Sequence, residues 1–234
     1  MLNRKMTMDF EGYRYERKFV IREFMSYEIE HLIKSHPAGF HEIFYQRNVN
    51  NIYLDYMDMN NYADHTIGNS NRLKIRIRWY GKMFGEIQPV LELKIKKNEL
   101  GKKMSFPLKP FKFNRDFSSD FLKKEIFEKS NLPKWLVEEL KTCSPVLLNS
   151  YKRKYFISKD KAYRITLDTD LKFFKINQKN NLFYEKIVDR DNSILELKYD
   201  GKDYRKASHI TENFPFRLSK LSKYIQGIEV LELC

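Results

Sequence analysis

Arg72 to Lys96, RLKIRIRWYGKMFGEIQPVLELKIK, holds two segments in which charged and apolar residues strictly alternate. Successive side chains of a β-strand point to opposite faces, so alternation with period two marks a strand with one polar and one apolar face. In the first segment Lys74, Arg76 and Arg78 share one face, and Leu73, Ile75, Ile77 and Trp79 share the other. In the second, Glu92, Lys94 and Lys96 oppose Leu91, Leu93 and Ile95. Gly81 and Gly85 between them mark a hairpin connection. The pattern returns far along the chain in RITLD, with Arg164, Thr166 and Asp168 against Ile165 and Leu167, and in ILELK, with Glu196 and Lys198 against Leu195 and Leu197.

A polar strand face ordinarily meets water on the outside of an antiparallel sheet. Here the polar positions are mostly Arg and Lys, and like charges side by side on a sheet repel. The opposite faces are bulky and apolar, and helical segments elsewhere in the chain are suited to covering them. The expectation is an α+β fold: a closed antiparallel β-barrel with a basic interior around a multiply charged anion, covered outside by several helices. The 234 residues can bury a sizeable core, and the repeated strands predict one domain over residues 1–234.

Forty-four basic against 31 acidic residues leave a net charge of +13, so the expected partner is an anion: nucleic acid, polyphosphate, nucleotide or an acidic membrane surface. The opening residues lack the apolar core of a signal peptide, and no later run approaches the ~20 apolar residues of a membrane span. Cys143, read as lying in a mid-chain loop, and Cys234 form neither a disulfide framework nor a zinc spacing. These features predict a soluble, cytoplasmic protein. A GxxxxGK[ST] phosphate loop is absent from the sequence, which excludes a P-loop nucleotide site.

Outward from the central hairpin, Tyr13 to Arg22 reads as a first strand, with Arg14, Glu16 and Lys18 on one face and Tyr13, Tyr15, Arg17 and Phe19 on the other. Ser26 is a candidate N-cap for the helix YEIEHLIKSH, which ends before Pro37. His41 to Asp58 holds one or two strands, Asn60 to Asn71 a loop or short helix, and Gly101 to Leu108 a short strand carrying Lys103. Ser118 or Ser119 opens the helix DFLKKEIFEKS, and Pro133 opens KWLVEEL at the first helical position. Val146 to Ile157, Lys161 to Phe173, Asn181 to Val188 and Ser193 to Tyr199 return to strands. Phe216 to Leu231 reads as a helix at least to Gln226, with Lys220 and Lys223 on one face.

Arg76, Arg78, Arg153 and Arg164 can grip phosphate oxygens in fork geometry, with lysines as movable point charges. Burying so many cations is unfavourable unless an anion compensates them. Glu16, Glu92 and Glu196 can each offer an oxygen to Mg²⁺ or Mn²⁺, which bind through one or two carboxylates plus substrate phosphates. Cations, carboxylates and a metal are the parts that phosphoryl transfer requires.

The order of segments, Arg14 to Phe19 (RYERKF), Tyr53 to Asp55 (YLD), Arg76 to Gly81 (RIRWYG), Leu91 to Lys94 (LELK), Tyr151 to Phe156 (YKRKYF), RITLD, Leu195 to Lys198 (LELK) and Ser222 to Tyr224 (SKY), resembles the VTC domain. That is the polyphosphate polymerase domain of the vacuolar transporter chaperone complex and its bacterial relatives, within the triphosphate tunnel metalloenzymes that also include the CYTH-type triphosphatases and adenylate cyclases. The resemblance covers residues 13 to about 230. It implies a β tunnel that binds a triphosphate, ATP-dependent elongation of polyphosphate, and a divalent metal held by a glutamate. Carried over by position, Lys18, Arg76, Arg78, Lys94, Arg153 and Arg164 bind phosphates, Glu196 holds the metal, and Lys223 with Lys220 closes the tunnel. Lys103 matches a family lysine, although Ser105 stands where arginine is common and Tyr56 where threonine is usual. Lys96 and Lys198 extend the same phosphate-binding face.

Hydrolytic relatives begin with Glu-x-Glu-x-Lys, whereas this chain has Arg14-x-Glu16-x-Lys18. A cation in place of the first carboxylate favours holding product phosphate over activating water. ATP, inorganic phosphate and polyphosphate are the implied partners, and coupling to translocation requires a separate membrane protein. Two other readings stay open: a tripolyphosphate or nucleoside triphosphate hydrolase, and a non-catalytic module binding polyphosphate or RNA. For RNA, the 15 tyrosines scattered over strands and loops read better as core than as a base-stacking platform.

Overall fold

The computed structural model describes residues 14–97, 100–177, 181–184, 186–203 and 207–233. Tyr13, Cys234 and the side chain of Arg14, which carried parts of the sequence reading, lie outside the described set. In chain order the elements are β1 (Arg14–Ile21), α1 (Ser26–Lys34), β2 (His41–Tyr56), α2 (Asn60–Ile67), β3 (Asn71–Tyr80), β4 (Gly85–Ile87), β5 (Val90–Lys97) and β6 (Leu100–Pro107). There follow β7 (Phe111–Phe113), α3 (Ser119–Phe121), α4 (Lys134–Thr142), β8 (Cys143–Ile157), β9 (Tyr163–Lys175), β10 (Lys186–Asp189), β11 (Ser193–Asp200), α5 (Ala207–Glu212) and α6 (Lys223–Val230). The fold is α+β, with a large antiparallel sheet in the order β1-β11-β9-β8-β2-β3-β5-β6, β10 beside β9, and a separate β4-β7 pair.

The alternation predicted from sequence sorts the side chains of this sheet into two populations. Ile52 and Leu54 of β2, Ile75, Ile77 and Trp79 of β3, Leu91 and Leu93 of β5 and Leu148 of β8 form one core. They pack against Phe111 and Phe113 of β7, Leu122 and Ile126 after α3, and Leu136 and Leu140 of α4. Phe19 and Ile21 of β1, Ile165 and Leu167 of β9, and Leu195 and Leu197 of β11 form a second core beneath Ile29 and Ile33 of α1 and Ala207 of α5. Each such side chain contributes about 1.5–3 kcal/mol by leaving water, so α1, α4 and α5 are held to the outer face of the sheet.

The inner face is where the sheet curls on itself. Lys94 of β5 reaches Glu16 of β1 at 2.8 Å, although the two strands lie near opposite ends of the strand order. The expected closed barrel is not what forms: among the described residues no ladder joins β1 to β6. The reason lies in the backbone of β1. Its free edge over Lys18 to Val20 is taken by the segment before α6, where Ser219 N donates to Lys18 O at 2.8 Å, Val20 N donates to Ser219 Oγ at 3.0 Å, and Phe19 bridges Leu218. Backbone groups already satisfied cannot pair again.

The same contact corrects the reading of the C-terminal stretch. Residues 218–222 run extended against β1, and the helix begins only at Lys223, with Ser222 Oγ accepting from Ile225 N at 3.3 Å. Lys220 is therefore exposed and off the helix, and does not share a face with Lys223. α6 lies on the inner face, its Tyr224 and Ile228 against Val49, Tyr53, Leu147, Leu171 and Phe173. A side chain at Gly227 would come within 2.4 Å of Leu147 and 2.7 Å of Phe173, so glycine permits this close approach.

Other local expectations shift by a residue or two. Met25, not Ser26, is the N-cap of α1, and Glu28 Oε2 accepts from its backbone N at 2.6 Å. Pro133 is the N-cap of α4, preceding the first helical residue. α3 runs into a π-helical turn over Leu122–Phe127, and the strand expected over Asn181–Val188 is confined to Lys186–Asp189. Cys143 is the first residue of β8 and fully buried, not in a loop, and burial pushes its thiol up to about 12. No helix among the described residues is long and apolar enough to cross a membrane.

Candidate functional site

The polar faces of β1, β3, β5, β6, β8, β9 and β11 converge in the hollow of the curled sheet. Glu92 collects one group: Arg76 Nη2 at 2.6 Å, Lys103 Nζ at 3.0 Å and Arg78 Nη1 at 3.7 Å. Burial opposes ionisation of Glu92, but Arg76, Arg78 and Lys103 outweigh it and pull the carboxyl down to about 2. Arg78 also donates to Asn51 Oδ1 at 2.8 Å and to the Tyr151 hydroxyl at 3.2 Å, and Asn51 in turn donates to Asn149 at 2.8 Å. The Arg78 fork is thus fixed from β2 and β8.

Asp168 and Glu196 collect a second group. Arg153 grips Asp168 with both Nε (2.5 Å) and Nη2 (2.6 Å), and Lys223 of α6 reaches the same carboxylate at 2.6 Å. Glu196 receives Lys198 at 3.1 Å, Lys18 at 3.2 Å, Arg153 at 3.7 Å and Lys223 at 3.8 Å. Burial works against its charge, yet Lys18, Lys198, Lys223 and Arg153 hold it well below the usual carboxylate range. Lys18 also reaches Glu16 at 3.7 Å, so two carboxylates flank one ammonium group.

The balance of charge is lopsided. Lys18, Lys74, Arg76, Arg78, Lys94, Lys103, Arg153, Lys198 and Lys223 outnumber Glu16, Glu92, Asp168 and Glu196 by more than two to one. Lys74 and Lys94 stand directly opposite each other in the β3–β5 ladder, and Lys94 stands opposite Lys103 in the β5–β6 ladder. Burial, followed by Lys18, Lys94 and Arg76, holds Lys74 well below its ordinary value, and its Nζ has turned to Ser222 Oγ at 2.8 Å. Burial also lowers Lys94, with Lys18 adding to the effect and Glu16 opposing it. An anion in the hollow relieves this repulsion.

Most residues singled out from the sequence meet here. Lys96 lies on the same face of β5, opposite Arg72 and nearer the strand end. Arg164 stays apart: it is exposed at the start of β9, beside Lys198 in register, and forms no hydrogen bond or ion pair among the described residues. Sequence reasoning left Lys74, Asp168, Tyr151, Asn51 and Asn149 out of the site. Lys74 and Asp168 had the right strand parity, whereas the roles of the others depend on neighbours far away in the chain. Thr166 Oγ1 and Asn149 Nδ2 on the same face are buried without a partner among the described residues.

Among the described residues no group of three or more His, Cys, Asp and Glu side chains is arranged to hold a metal ion. Glu16 and Glu196 nevertheless fit a divalent cation that takes its remaining ligands from phosphate, since one or two carboxylates suffice for Mg²⁺ in such sites. Glu92 fits less well, because Arg76 at 2.6 Å and Lys103 at 3.0 Å hold its two oxygens more closely than any cation holds Glu196, whose nearest is Lys198 at 3.1 Å.

No curated protein matches the chain. Its fold is similar to that of a putative adenylyl cyclase from Hippeastrum described as having a dominant triphosphatase activity (14% identity, TM-score 0.52, covering 93% of this chain and 95% of that one). It is similar also to a protein of Pyrococcus horikoshii OT3 (14% identity, TM-score 0.51, 93% and 99%) and to a putative adenylate cyclase of Bacillus halodurans (12% identity, TM-score 0.52, 91% and 95%). The sequence model of the VTC domain matches residues 13–232, nearly the whole length, and the chain therefore belongs to the VTC domain family.

Proposed function

We propose that this protein is a metal-dependent polyphosphate polymerase that transfers the γ-phosphoryl group of ATP to phosphate or to a growing polyphosphate chain in the basic hollow. The observation that carries the reading is the surplus of converging cations, with Lys74 and Lys94 depressed by burial and by neighbouring cations. A triphosphate supplies the missing negative charge, and a small monoanion does not supply enough. In this reading the curled sheet acts as the tunnel of the family, with residues 218–222 and α6 in place of a β1–β6 ladder.

Arg153, Arg76 and Arg78 are pre-oriented by Asp168, Glu92 and Asn51, so they present fixed donors and need no reorganisation as charge moves in the transition state. Lys18, Lys74, Lys94, Lys103, Lys198 and Lys223 neutralise the phosphate chain, with Lys96 and Arg164 further out along its path. Glu196 and Glu16 would hold a divalent cation, Mg²⁺ or Mn²⁺, which when bound would supply further neutralisation of the phosphate charge. The acceptor needs no protein base, because phosphate oxygens are already ionised. Phosphoryl transfer by positioning and charge neutralisation is the chemistry these residues can perform.

Purified protein incubated with ATP and Mn²⁺ should yield polymer resolvable on a polyacrylamide gel. Release of free phosphate without polymer would replace the polymerase with a hydrolase, a reading favoured by the triphosphatase activity described for the Hippeastrum protein of similar fold. Arg153→Ala should abolish polymer formation, and Arg164→Ala, at an exposed position, should cost less.

A further inference from the structure

One titratable ring stands beside the basic face of β3 and β5. α2 lies on the inner side of the sheet, where Met59 and Tyr62 pack against the same cluster as Tyr224 and Ile228 of α6. Its start is fixed by Asp55, a fully buried carboxylate near the end of β2 that accepts from Asn61 N at 3.0 Å and from Tyr62 N at 2.9 Å. A carboxylate at a helix N-terminus is favourable there. The Tyr224 hydroxyl donates to the same carboxylate, so α2 and α6 are tied to one group.

The ring is His65, in the last turn of α2, and its charged neighbours are cations: Arg72 and Lys74 of β3, and Lys94 and Lys96 of β5. Arg72 stands opposite Lys96 in the β3–β5 ladder, and Lys74 opposite Lys94. The acidic groups of the adjoining elements are engaged elsewhere. Asp55 is taken by α2 and Tyr224, Asp64 Oδ1 accepts from Asn69 Nδ2 at 3.1 Å, and Glu16 holds Lys94 at 2.8 Å. His65 Nε2 and Arg72 Nε are both buried with no hydrogen-bond partner among the described residues. A buried donor left unbonded costs about 1–3 kcal/mol, and the arginine N–H can only donate. An acceptor satisfies it, and the surrounding cations select an anionic one. Burial, followed by Lys74, Arg72, Lys96 and Lys94, pushes the His65 ring down to about 3, so without an anion it is neutral near pH 7.

A phosphate oxygen bonded to Nε2 reverses this, because negative charge beside the ring favours the imidazolium and offsets the cations around it. Arg72 stands four residues before Arg76, roughly 13 Å along the strand, so a chain leaving the arginine cluster arrives here past Lys74. We propose that His65 and Arg72 form a proton-coupled anion subsite, in which His65 takes up a proton as a polyphosphate chain binds, so that the protein grips the chain more tightly in acid and releases it more readily in alkali. The inference rests on the reading of the hollow as a polyphosphate site and adds the regulation of that site by pH. An arginine at this position stays charged throughout and confers no such dependence, whereas histidine is the side chain whose charge changes in this range. With the ring raised on binding, the gain in affinity is absent at high pH, grows by about tenfold per pH unit below the value of the bound ring, and is complete below about 3.

The test follows the His65 ring by NMR, its signal identified among the five histidines by its loss in His65→Gln. Without ligand the ring should stay neutral from about pH 8 to about pH 5, and with linear polyphosphate bound it should titrate near the ordinary 6.5. Calorimetry then compares the wild type with His65→Gln, both checked for folding by circular dichroism. The two should bind polyphosphate within about twofold of each other at about pH 7.5, and at about pH 5.5 the wild type should bind on the order of tenfold more tightly. Arg72→Ala should weaken the chain at both pH values. A ring that titrates alike with and without the chain, or a ratio of wild-type to His65→Gln affinity that does not change with pH, overturns the subsite. Tripolyphosphate tests the underlying reading separately: if the wild type binds it while the subsite fails, the reading of the hollow survives, and if the wild type binds neither anion, both fall together.

Discussion

Glu92 shows how one side chain ties charge to stability. Its carboxyl is at about 2 in the folded protein against an ordinary 4.5, so the unfolded chain binds more protons between these values. The stabilisation is complete above 4.5 and is lost as pH falls towards 2, with a size of roughly 3 kcal/mol. Glu92→Gln should therefore lower the urea midpoint at neutral pH, and the gap to the wild type should close with acid; a gap independent of pH would refute the assignment. Lys74 and Lys94 carry a second prediction, since an anion restores their depressed affinity for protons. Binding of tripolyphosphate at about pH 8.5 should take up protons, read as a dependence of calorimetric heat on buffer ionisation. The parity of Glu92, Lys94, Lys103 and Glu196 was legible in the sequence because alternation needs only neighbours. The roles of Asp168 and Asn51 were not, because their partners Arg153 and Arg78 lie on other strands and Lys223 on α6.

Among the elements, α6 is the piece that joins packing to chemistry. Gly227 lets the helix press onto Leu147 and Phe173, and one turn earlier Lys223 enters the hollow to reach Asp168. Gly227→Ala forces overpacking that costs about 1–3 kcal/mol. It should also weaken tripolyphosphate binding, because any displacement of the helix withdraws Lys223. A variant that loses stability but binds as well as the wild type would separate helix position from the site. The helix start differs from the sequence expectation because Leu218 and Leu221 continue, at intervals of three and four, the apolar spacing of Ile225 and Ile228 in the helix itself. The backbone hydrogen bonds offered by β1 to Ser219 override that local preference.

For the molecule as a whole, surplus positive charge in a confined hollow means that the ligand-free fold carries repulsion an anion can remove. Tripolyphosphate at 100 times its dissociation constant should add about 2.7 kcal/mol, on the order of 5–10 °C in Tm for a chain of this size. Chloride at equal ionic strength should give less, because screening acts weakly on buried charges. Equal shifts from the two salts would mean that the hollow does not select a polyanion.

The sequence by itself determined most strands of the large sheet and their inward charged and outward apolar faces, because strand parity is a property of neighbouring residues. Only the tertiary structure decided how the sheet meets itself, where α6 begins, which carboxylate holds which cation, and that Arg164 stands clear of the cluster. Those outcomes depend on backbone edges and side chains more than a hundred residues apart, such as Lys18 with Ser219 and Glu196, whose encounter no local pattern encodes.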